Sequence, residues 1–375
     1  MPKVHNWQIG REMEYPYEGA RPKKQFAMVM DTNKCIACQT CTVACKTTWT
    51  SSRGQEYMFW NNVETKPYGY YPLGWDVKIL EKLGVQDIDG PSYQGKTLFE
   101  AAPAGERVLG YLPDDMDYAH PNISEDDCTG NMTQGAYITV PHMQWMHYLP
   151  RICNHCTYPA CVGACPRQSA YKRPEDGIVL VDQLRCRGYR ECVRGCPYKK
   201  PFFNSMTRTS EKCVGCYPAV EGGRQTQCTI TCIGKIRLQG FISAPDKARD
   251  DNPLDYLVHV LKIAKPLFPQ LGLEPNVYYI PPIHVPAAYT QQMFGGGVTQ
   301  AVEMYRKAVD DKKLLAALLL FGATPMIIDR FRVEGDAAVG FDEQGKELVR
   351  VPMREPIFLR VAYDETYKTH RSNIT

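Results

Sequence analysis

The stretch "CRGYRECVRGCP" at residues 186–197 decides how the rest of the chain is interpreted. Its spacing follows the pattern C-x2-C-x2-C-x3-C-P at three of the four cysteine positions and at the proline. Cys186, Cys192 and Cys196 occupy the first, third and fourth positions, and Tyr189 occupies the second. The stretch is therefore either a damaged site or a site that is complete with one thiol fewer.

Three further cysteine groups show that the pattern is not an accident. The chain of 375 residues has 16 cysteines, and all but Cys128 fall into four tight groups. The groups are Cys35, Cys38, Cys41 and Cys45; Cys153, Cys156, Cys161 and Cys165; Cys186, Cys192 and Cys196; and Cys213, Cys216, Cys228 and Cys232. Such runs are typical of iron–sulfur binding segments, whereas disulfide scaffolds belong to small secreted domains. The sequence therefore predicts iron–sulfur clusters.

Other metal chemistry fits the spacing less well. Zinc ribbons use C-x2-C pairs but do not need a third and fourth cysteine at x2 and x3. Haem attachment of the c type needs C-x-x-C-H, and no group has that histidine. His155 lies inside the second group, and we expect it to hydrogen-bond near a sulfur or to face solvent rather than to bind iron. We interpret Cys128 as an unpartnered loop thiol.

Crossed ligation predicts which cysteines act together. In a two-cluster run, three cysteines hold one cluster and the fourth binds the neighbouring one. A polar turn and the strand-like "GIVLVD" at 177–182 separate groups two and three, as expected within one two-cluster unit, so groups one and four are left to pair. The predicted ligand sets are set 1, Cys35, Cys38, Cys41 and Cys232; set 2, Cys45, Cys213, Cys216 and Cys228; set 3, Cys153, Cys156, Cys161 and Cys196; and set 4, Cys165, Cys186 and Cys192.

Set 4 has three thiols because Tyr189 stands in the missing-ligand position. A [3Fe–4S] cluster needs only three thiolates, so we predict three [4Fe–4S] clusters and one [3Fe–4S] cluster. We expect the tyrosine ring to occupy the space of the fourth iron; phenolate ligation of that iron is the alternative. The lower ligand charge is expected to raise the potential of this cluster.

Charge and hydropathy limit the partners. The formal net charge of +3 counts every cysteine as neutral, and bound clusters would make the protein acidic, so no nucleic acid is expected. The basic residues beside the groups either offset cluster charge or are solvated surface charges: Lys46, Arg187, Arg190, Arg194, Lys199 and Lys200.

The longest aliphatic run, at 314–321, is too short to span a bilayer. The N-terminus lacks the apolar core of a signal peptide.

These patterns predict an α+β protein built from two bacterial-ferredoxin-like, βαβ-type two-cluster units with large insertions and a partner-wrapping C-terminal extension. The expected parts are an arm at 1–25, one unit at 26–50 plus 198–245, an aromatic-rich insertion at 51–150, the other unit at 151–197, and the extension at 246–375. The insertion either forms an interface or packs on the core. In the extension, helices are predicted over 252–268, capped by Asn252, and over 299–322, with strands following.

Five segments carry a family resemblance: "DTNKCIACQTCTVACKTTWT" at 31–50, "GQEYMFWNNVETKP" at 54–67, "RICNHCTYPACVGACPR" at 151–167, "CRGYRECVRGCPYKKPFFN" at 186–204 and "EPNVYYIPP" at 274–282. They resemble the β subunits of the respiratory nitrate reductase and nitrite oxidoreductase group within the dimethyl-sulfoxide-reductase family. In that group an aromatic residue, typically Trp, takes the place that Tyr189 has here.

The resemblance implies an electron-transfer subunit without a substrate site of its own. It implies a molybdopterin-containing catalytic α subunit for nitrite oxidation or nitrate reduction, a haem-containing γ subunit, and no membrane span on this chain. It implies export beyond the cytoplasm together with the α subunit; the cytoplasmic face of the membrane is the alternative. A selenate, (per)chlorate or hydrocarbon-hydroxylating enzyme, a stand-alone polyferredoxin, and a formate dehydrogenase or hydrogenase relay stay open, although four complete cysteine sets would be expected in the last.

The tyrosine position yields a direct test. Tyr189→Cys restores the full cysteine run, so the variant should bind a fourth iron and lose the paramagnetic signal that an oxidised three-iron cluster gives. Electron paramagnetic resonance of the oxidised protein measures this, and Tyr189→Phe, which adds no thiol, should keep the signal. A three-iron signal in Tyr189→Cys, with iron content otherwise complete, would contradict the prediction.

Overall fold

The computed structural model describes residues 2–17, 21–67, 69–88, 90, 92–118, 145–353 and 362–371. Cys128 lies outside these ranges, so the interpretation of its thiol stays a prediction. In the described ranges, no helix combines the length and the apolar composition needed to cross a bilayer. Strands and short helices alternate along the chain, in agreement with the predicted mixed α and β class.

A four-stranded sheet joins distant parts of the chain. Its strands are β3 (Gln25–Asp31), β10 (Arg237–Ile242), β11 (Lys265–Pro266) and β12 (Val277–Ile280), in the order β10-β3-β12-β11. All seven residues of β3 are buried, as expected of a strand covered on both faces. β10 runs antiparallel to β3, and β12 runs parallel to it. The sheet therefore holds the start, the middle and the C-terminal third of the chain together.

Five further strand pairs, each antiparallel, form separate two-stranded sheets in the described residues. They are β1 (Lys3–Asn6) with β2 (Arg11–Glu14), β4 (Asn62–Lys66) with β5 (His147–Arg151), β6 (Ala170–Lys172) with β7 (Val179–Val181), β8 (Pro201–Asn204) with β9 (Thr209–Lys212), and β16 (Ala362–Asp364) with β17 (Thr369–Arg371). β7 confirms the strand predicted within 177–182. Short helices lie at Thr40–Trp49, Ala160–Ala164, Glu191–Gly195, Tyr217–Glu221 and Gln227–Ile230, in or beside the cysteine groups.

The first helix predicted in the extension begins where expected but ends early. The Asn252 side chain accepts hydrogen bonds from the backbone N–H groups of Leu254 and Asp255, both at 3.0 Å. The helix Pro253–Asp255 continues as π-helix through Tyr256–Val260 and stops. The prediction to residue 268 was wrong because the following residues enter β11, where Pro266 cannot continue a helix.

The second predicted helix is two helices. They span Val298–Arg306 and Lys312–Leu319, with a helix Ala287–Phe294 before them and a 3-10 turn Ala308–Asp310 between them. Asp311 caps the second helix by accepting from the N–H groups of Lys313 and Leu314, a cap that the "DDKK" sequence contains. The strand-like end is confirmed as a sheet of β13 (Arg330–Glu334), β14 (Ala337–Phe341) and β15 (Glu347–Pro352).

Much of the aromatic content of the insertion packs inside the chain. Trp75 and Tyr71 are fully buried, and Trp60 is nearly so. Trp75 lies in the helix Trp75–Leu83 and belongs to the largest hydrophobic cluster. For these rings, core packing rather than interface formation is the observed role.

A buried ion pair fixes the insertion to the core. Glu64 on β4 accepts hydrogen bonds from the Arg151 guanidinium on β5 and, at 3.0 Å, from the Trp75 indole. The guanidinium also lies 3.9 Å from the centre of the Trp75 ring. Burial acts to raise the pKa of Glu64, but Arg151 and Lys66 outweigh it and lower that pKa. The carboxylate is therefore ionised where water cannot reach it.

Glu64→Gln should destabilise the protein strongly, because it leaves the Arg151 charge buried without its partner. A loss of about 3–5 kcal/mol is expected for breaking a buried pair. The apparent unfolding midpoint at a fixed heating rate, followed by circular dichroism, measures this. Glu347→Gln removes a partner of the exposed Arg350 pair and should change the midpoint little; equal effects of the two variants would refute the buried role of Glu64.

Candidate iron–sulfur centres

The register of β3 against β10 brings the first and last cysteine groups together. Met30, near the end of β3, pairs with Arg237 at the start of β10. Because the strands are antiparallel, the segment that follows β3 meets the segment that precedes β10. Cys35 lies in the first of these segments and Cys232 in the second. The strand pairing thus places residues almost 200 positions apart on one cavity.

Set 1 lines this cavity near the protein surface. Its four cysteines face about 330 Å³ of empty space. Cys41 is buried, Cys35 and Cys232 are half-buried, and Cys38 is exposed. Burial acts to raise the pKa of Cys38, but hydrogen bonds, one of them from the Thr40 hydroxyl at 3.5 Å, lower it overall. Set 1 is therefore the end of the site that solvent reaches.

Set 2 lines a second cavity. Cys45 comes from the helix Thr40–Trp49, Cys213 and Cys216 precede the helix Tyr217–Glu221, and Cys228 lies in Gln227–Ile230. The Trp49 indole N–H donates to Sγ of Cys216 at 3.3 Å. Four thiols from three segments thus face one space.

Set 3 lies in the interior. Its cysteines line one cavity, and each is at most 9% exposed. The backbone N–H of His155 donates to Sγ of Cys153 at 3.5 Å. Cys196, which follows the helix Glu191–Gly195, is contributed by the third cysteine group. One thiol from group three therefore completes a cavity lined otherwise by group two.

The three thiols of set 4 are buried and close to one another. Burial raises the pKa of Cys192 to about 12, and the neighbouring thiols of Cys165 and Cys186 act in the same direction. The backbone N–H of Ser169 donates to Sγ of Cys165 at 3.3 Å, and that of Ser210 donates to Sγ of Cys186 at 3.4 Å. Set 4 has neutral hydrogen-bond donors around its sulfur atoms.

Tyr189 is 60% exposed. Gly188 and Arg190 on either side have positive φ angles of 68° and 62°, so the ring is carried by a tight turn. The expectation that the ring occupies the space of a fourth iron stays a prediction.

Consecutive sets are neighbours in space. Burial, and then the thiol of Cys153 in set 3, raise the pKa of Cys213 in set 2 to about 12. Cys161 of set 3 and Cys192 of set 4 belong to one hydrophobic cluster. Arg237 lies close to thiols of both set 1 and set 2. The sets therefore form a row in the order 1, 2, 3, 4.

Of the six basic residues that sequence reasoning singled out, two are buried beside the sets. Lys199 and Lys200 are at most 1% exposed. Burial lowers the pKa of Lys199 to about 7, against the opposing effect of Cys196. The other four are at least partly exposed and bind elsewhere: Lys46 to backbone carbonyls, Arg187 to the Leu184 carbonyl, Arg190 over the Phe203 ring, and Arg194 to Glu106 and Glu191.

Sequence reasoning missed two cations that are closer to the thiols. Arg237 is fully buried and Lys212 is 3% exposed. Burial acts to lower the pKa of each, but nearby thiols, Cys41 first for Arg237 and Cys153 first for Lys212, raise both pKa values. The only signal available was position, since Lys212 directly precedes Cys213 and Arg237 follows Cys232 by five residues.

Buried polar atoms test whether iron–sulfur cores fit these cavities. Trp60 Nε1 and Asn61 Nδ2 have no partner in the described residues, and both side chains line the set 2 cavity. His155 lines the set 3 cavity; its Nδ1 accepts from the N–H of Val179 at 3.1 Å, which leaves Nε2 as an unpartnered donor. Buried donors without partners are rare, and the sulfides of a bound core would accept from them. The residues fit the clusters.

The thiols of a set lie around an open space and do not converge on a single point, as the ligands of one metal ion would. In the part of the chain that the structure describes, no three His, Cys, Asp or Glu side chains approach closely enough to hold a single metal ion. When bound, iron–sulfur clusters supply one-electron carriers. The chain's own contribution is to hold them by thiols, to donate hydrogen bonds to sulfur, and to exclude water from sets 3 and 4, whose cysteines are all buried.

Comparison with known proteins agrees with this chemistry. Residues 144–241 match the family model of a 4Fe-4S dicluster domain. The selenate reductase subunit beta of Thauera selenatis is 42% identical over 307 residues, which cover 75% of this chain and 89% of that protein. The respiratory nitrate reductase subunit beta of Haloferax mediterranei is 40% identical over 327 residues, 74% of this chain and 84% of that protein.

The same relationship extends to a more distant nitrate enzyme. The respiratory nitrate reductase 1 beta chain of Escherichia coli is 32% identical over 404 residues, covering 82% of this chain and 78% of that protein. Identity at this level over most of both chains confirms the resemblance drawn from the cysteine groups. The chain belongs to the β subunits of the molybdoenzymes of the dimethyl-sulfoxide-reductase family and is the iron–sulfur electron-transfer subunit, not the catalytic one, of such an oxidoreductase complex.

Proposed function

We propose that the chain relays single electrons through three [4Fe–4S] clusters held by sets 1, 2 and 3 and one [3Fe–4S] cluster held by set 4. The observation that carries this is the row of four thiol sets, in which each set is the neighbour of the next. The relay would connect a catalytic α subunit, which carries the molybdopterin, with a haem-containing γ subunit. This chain would supply the path, and the α subunit would supply the substrate site.

Both ends of the row have exposed apolar side chains. Around set 1, Ile36 and Ile233 are each 65% exposed and Val43 is 56% exposed. Near set 4, Leu184 and Tyr189 are 89% and 60% exposed. Exposed apolar patches mark sites of protein contact, so we assign the two ends to two partner subunits. The higher potential expected of a three-iron cluster suits set 4 to the haem partner.

Nitrite oxidation or nitrate reduction is the substrate chemistry we favour, on the resemblance of the five segments. The similarity to a selenate reductase subunit supports a second candidate, in which the complex acts on selenate or a related oxyanion such as (per)chlorate. Nothing in the row of thiols distinguishes these, because the substrate binds to the α subunit. A hydrocarbon-hydroxylating complex shares the same plan.

We propose that the protein works outside the cytoplasm and is exported in folded form with its α subunit. Fractionation of the native cells tests this: the complex should appear in the periplasm or an equivalent compartment. A complex found only in the cytoplasm would overturn the proposal and favour the cytoplasmic face of the membrane.

Isolation of the native complex tests the proposed function. An affinity tag on this chain should recover a large molybdenum-containing protein and a haem protein in fixed ratio. Iron analysis should give about 15 atoms for this chain, four in each of three clusters and three in the fourth, in addition to the iron that the partner subunits hold. The oxidised complex should show a three-iron signal. Recovery of the fully loaded chain alone, as a stable monomer, would instead support a stand-alone polyferredoxin.

A further inference from the structure

Arg237 reaches from one thiol set to the next. Its guanidinium is fully buried, and Nη2 donates to Sγ of Cys41 in set 1 at 3.2 Å. The same nitrogen donates to Oδ1 of Asn61 at 3.2 Å, and Asn61 lines the set 2 cavity. The side chain therefore occupies the wall between the first two cavities.

The leading negative groups around Arg237 are thiols rather than carboxylates. They belong to set 1, through Cys41, Cys232 and Cys35, and to set 2, through Cys228. Its Nε and Nη1 have no hydrogen-bond partner in the described residues. A buried cation without a compensating group is strongly unfavourable, so this charge requires the negative charge that loaded thiolate sites provide.

Lys212 occupies the corresponding place between sets 2 and 3. It is the last residue of β9 and 3% exposed. Its Nζ donates to the backbone carbonyl oxygens of Val179 and Cys213, the latter at 2.8 Å. Thiols on both sides act on it, Cys153 and Cys161 from set 3 and Cys213 from set 2. Lys212 therefore lines the set 3 cavity and contacts the backbone of a set 2 cysteine.

We propose that Arg237 and Lys212 are shared countercharges of the relay, each raising the reduction potentials of the two clusters between which it lies. The inference rests on the proposed function of the four sets. A cluster that accepts one electron gains one negative charge, and a cation held nearby in a medium of low dielectric constant favours that state. Both residues are positioning groups, since neither binds iron.

This arrangement predicts which reduction potentials change when each cation is removed. Loss of Arg237 should lower the potentials of clusters 1 and 2, and loss of Lys212 should lower those of clusters 2 and 3. One cluster, that of set 2, should respond to both changes. The cluster of set 4 should respond to neither, because its close donors are the neutral groups of Ser169 and Ser210.

The experiment uses the complete complex purified with its partner subunits. Redox titrations followed by electron paramagnetic resonance compare wild type with Arg237→Met and Lys212→Met. Arg237→Lys and Lys212→Arg keep the charge and should restore the potentials toward wild type. Lys235→Met removes an exposed charge close to set 1 and should leave all potentials unchanged, because solvent screens that charge.

The outcomes separate the inference from the proposed function. A wild-type complex without the four cluster signals would refute the proposed function itself. Normal wild-type signals, with the same potentials in Arg237→Met and Lys212→Met, would overturn only the inference, as would equal shifts at all four clusters.

If Arg237→Met fails to load iron, Arg237→Gln, which keeps a hydrogen-bond donor, takes its place in the titration. If neither variant binds iron at sets 1 and 2, the iron content of the Arg237→Lys variant tests the inference instead. Recovery of iron at those two sets in Arg237→Lys supports the need for a positive charge there. Continued loss in Arg237→Lys would show that the shape of the arginine matters and would overturn the countercharge role.

Discussion

The antiparallel register of β3 and β10 is the constraint on which the site depends. It joins the segment before Arg237, which contains Cys232, to the segment after Asp31, and without it set 1 would have three thiols instead of four. The same sheet takes β12 from the C-terminal third as a parallel neighbour of β3. The strand register therefore also sets the positions of the ligands. A slip of one residue would turn every β3 side chain to the opposite face and would open the first cavity.

The second constraint is electrostatic. Fifteen thiols lie in or around one core, and thiolate-bound clusters would add negative charge where the dielectric constant is low. The protein places buried cations and hydrogen-bond donors against three of the sets and neutral donors against the fourth. The buried pair of Glu64 and Arg151 has a different purpose, since it holds the insertion in place. The position of each charged group in this core therefore matters as much as the number of charged groups.

Cysteine spacing carried most of the prediction because crossed ligation is a local rule with few solutions. It predicted four thiol sets, and the structure places the cysteines of sets 1, 2 and 3 each around one cavity. Local signals separately predicted the strand within 177–182 and the Asn252 cap. Cysteine spacing could not find Arg237, because the partners of that side chain are fixed by strand register and not by neighbouring sequence. It also could not give the exposure of Tyr189, since that depends on the turn geometry at Gly188 and Arg190. Helix periodicity failed at 262–268 and 307–311, where tertiary strand pairing and an internal cap decided the ends.

The long separation between Cys41 and Cys232 has a consequence for biosynthesis. At about 5–20 residues per second, the roughly 200 intervening residues take on the order of 10–40 s to translate. Sets 3 and 4 are complete once Cys196 has emerged from the ribosome, but the first cavity waits for Cys232, the last cysteine of the chain. Metal insertion should therefore proceed from the middle of the sequence outward, and the N-terminal thiols need protection from oxidation until β10 arrives.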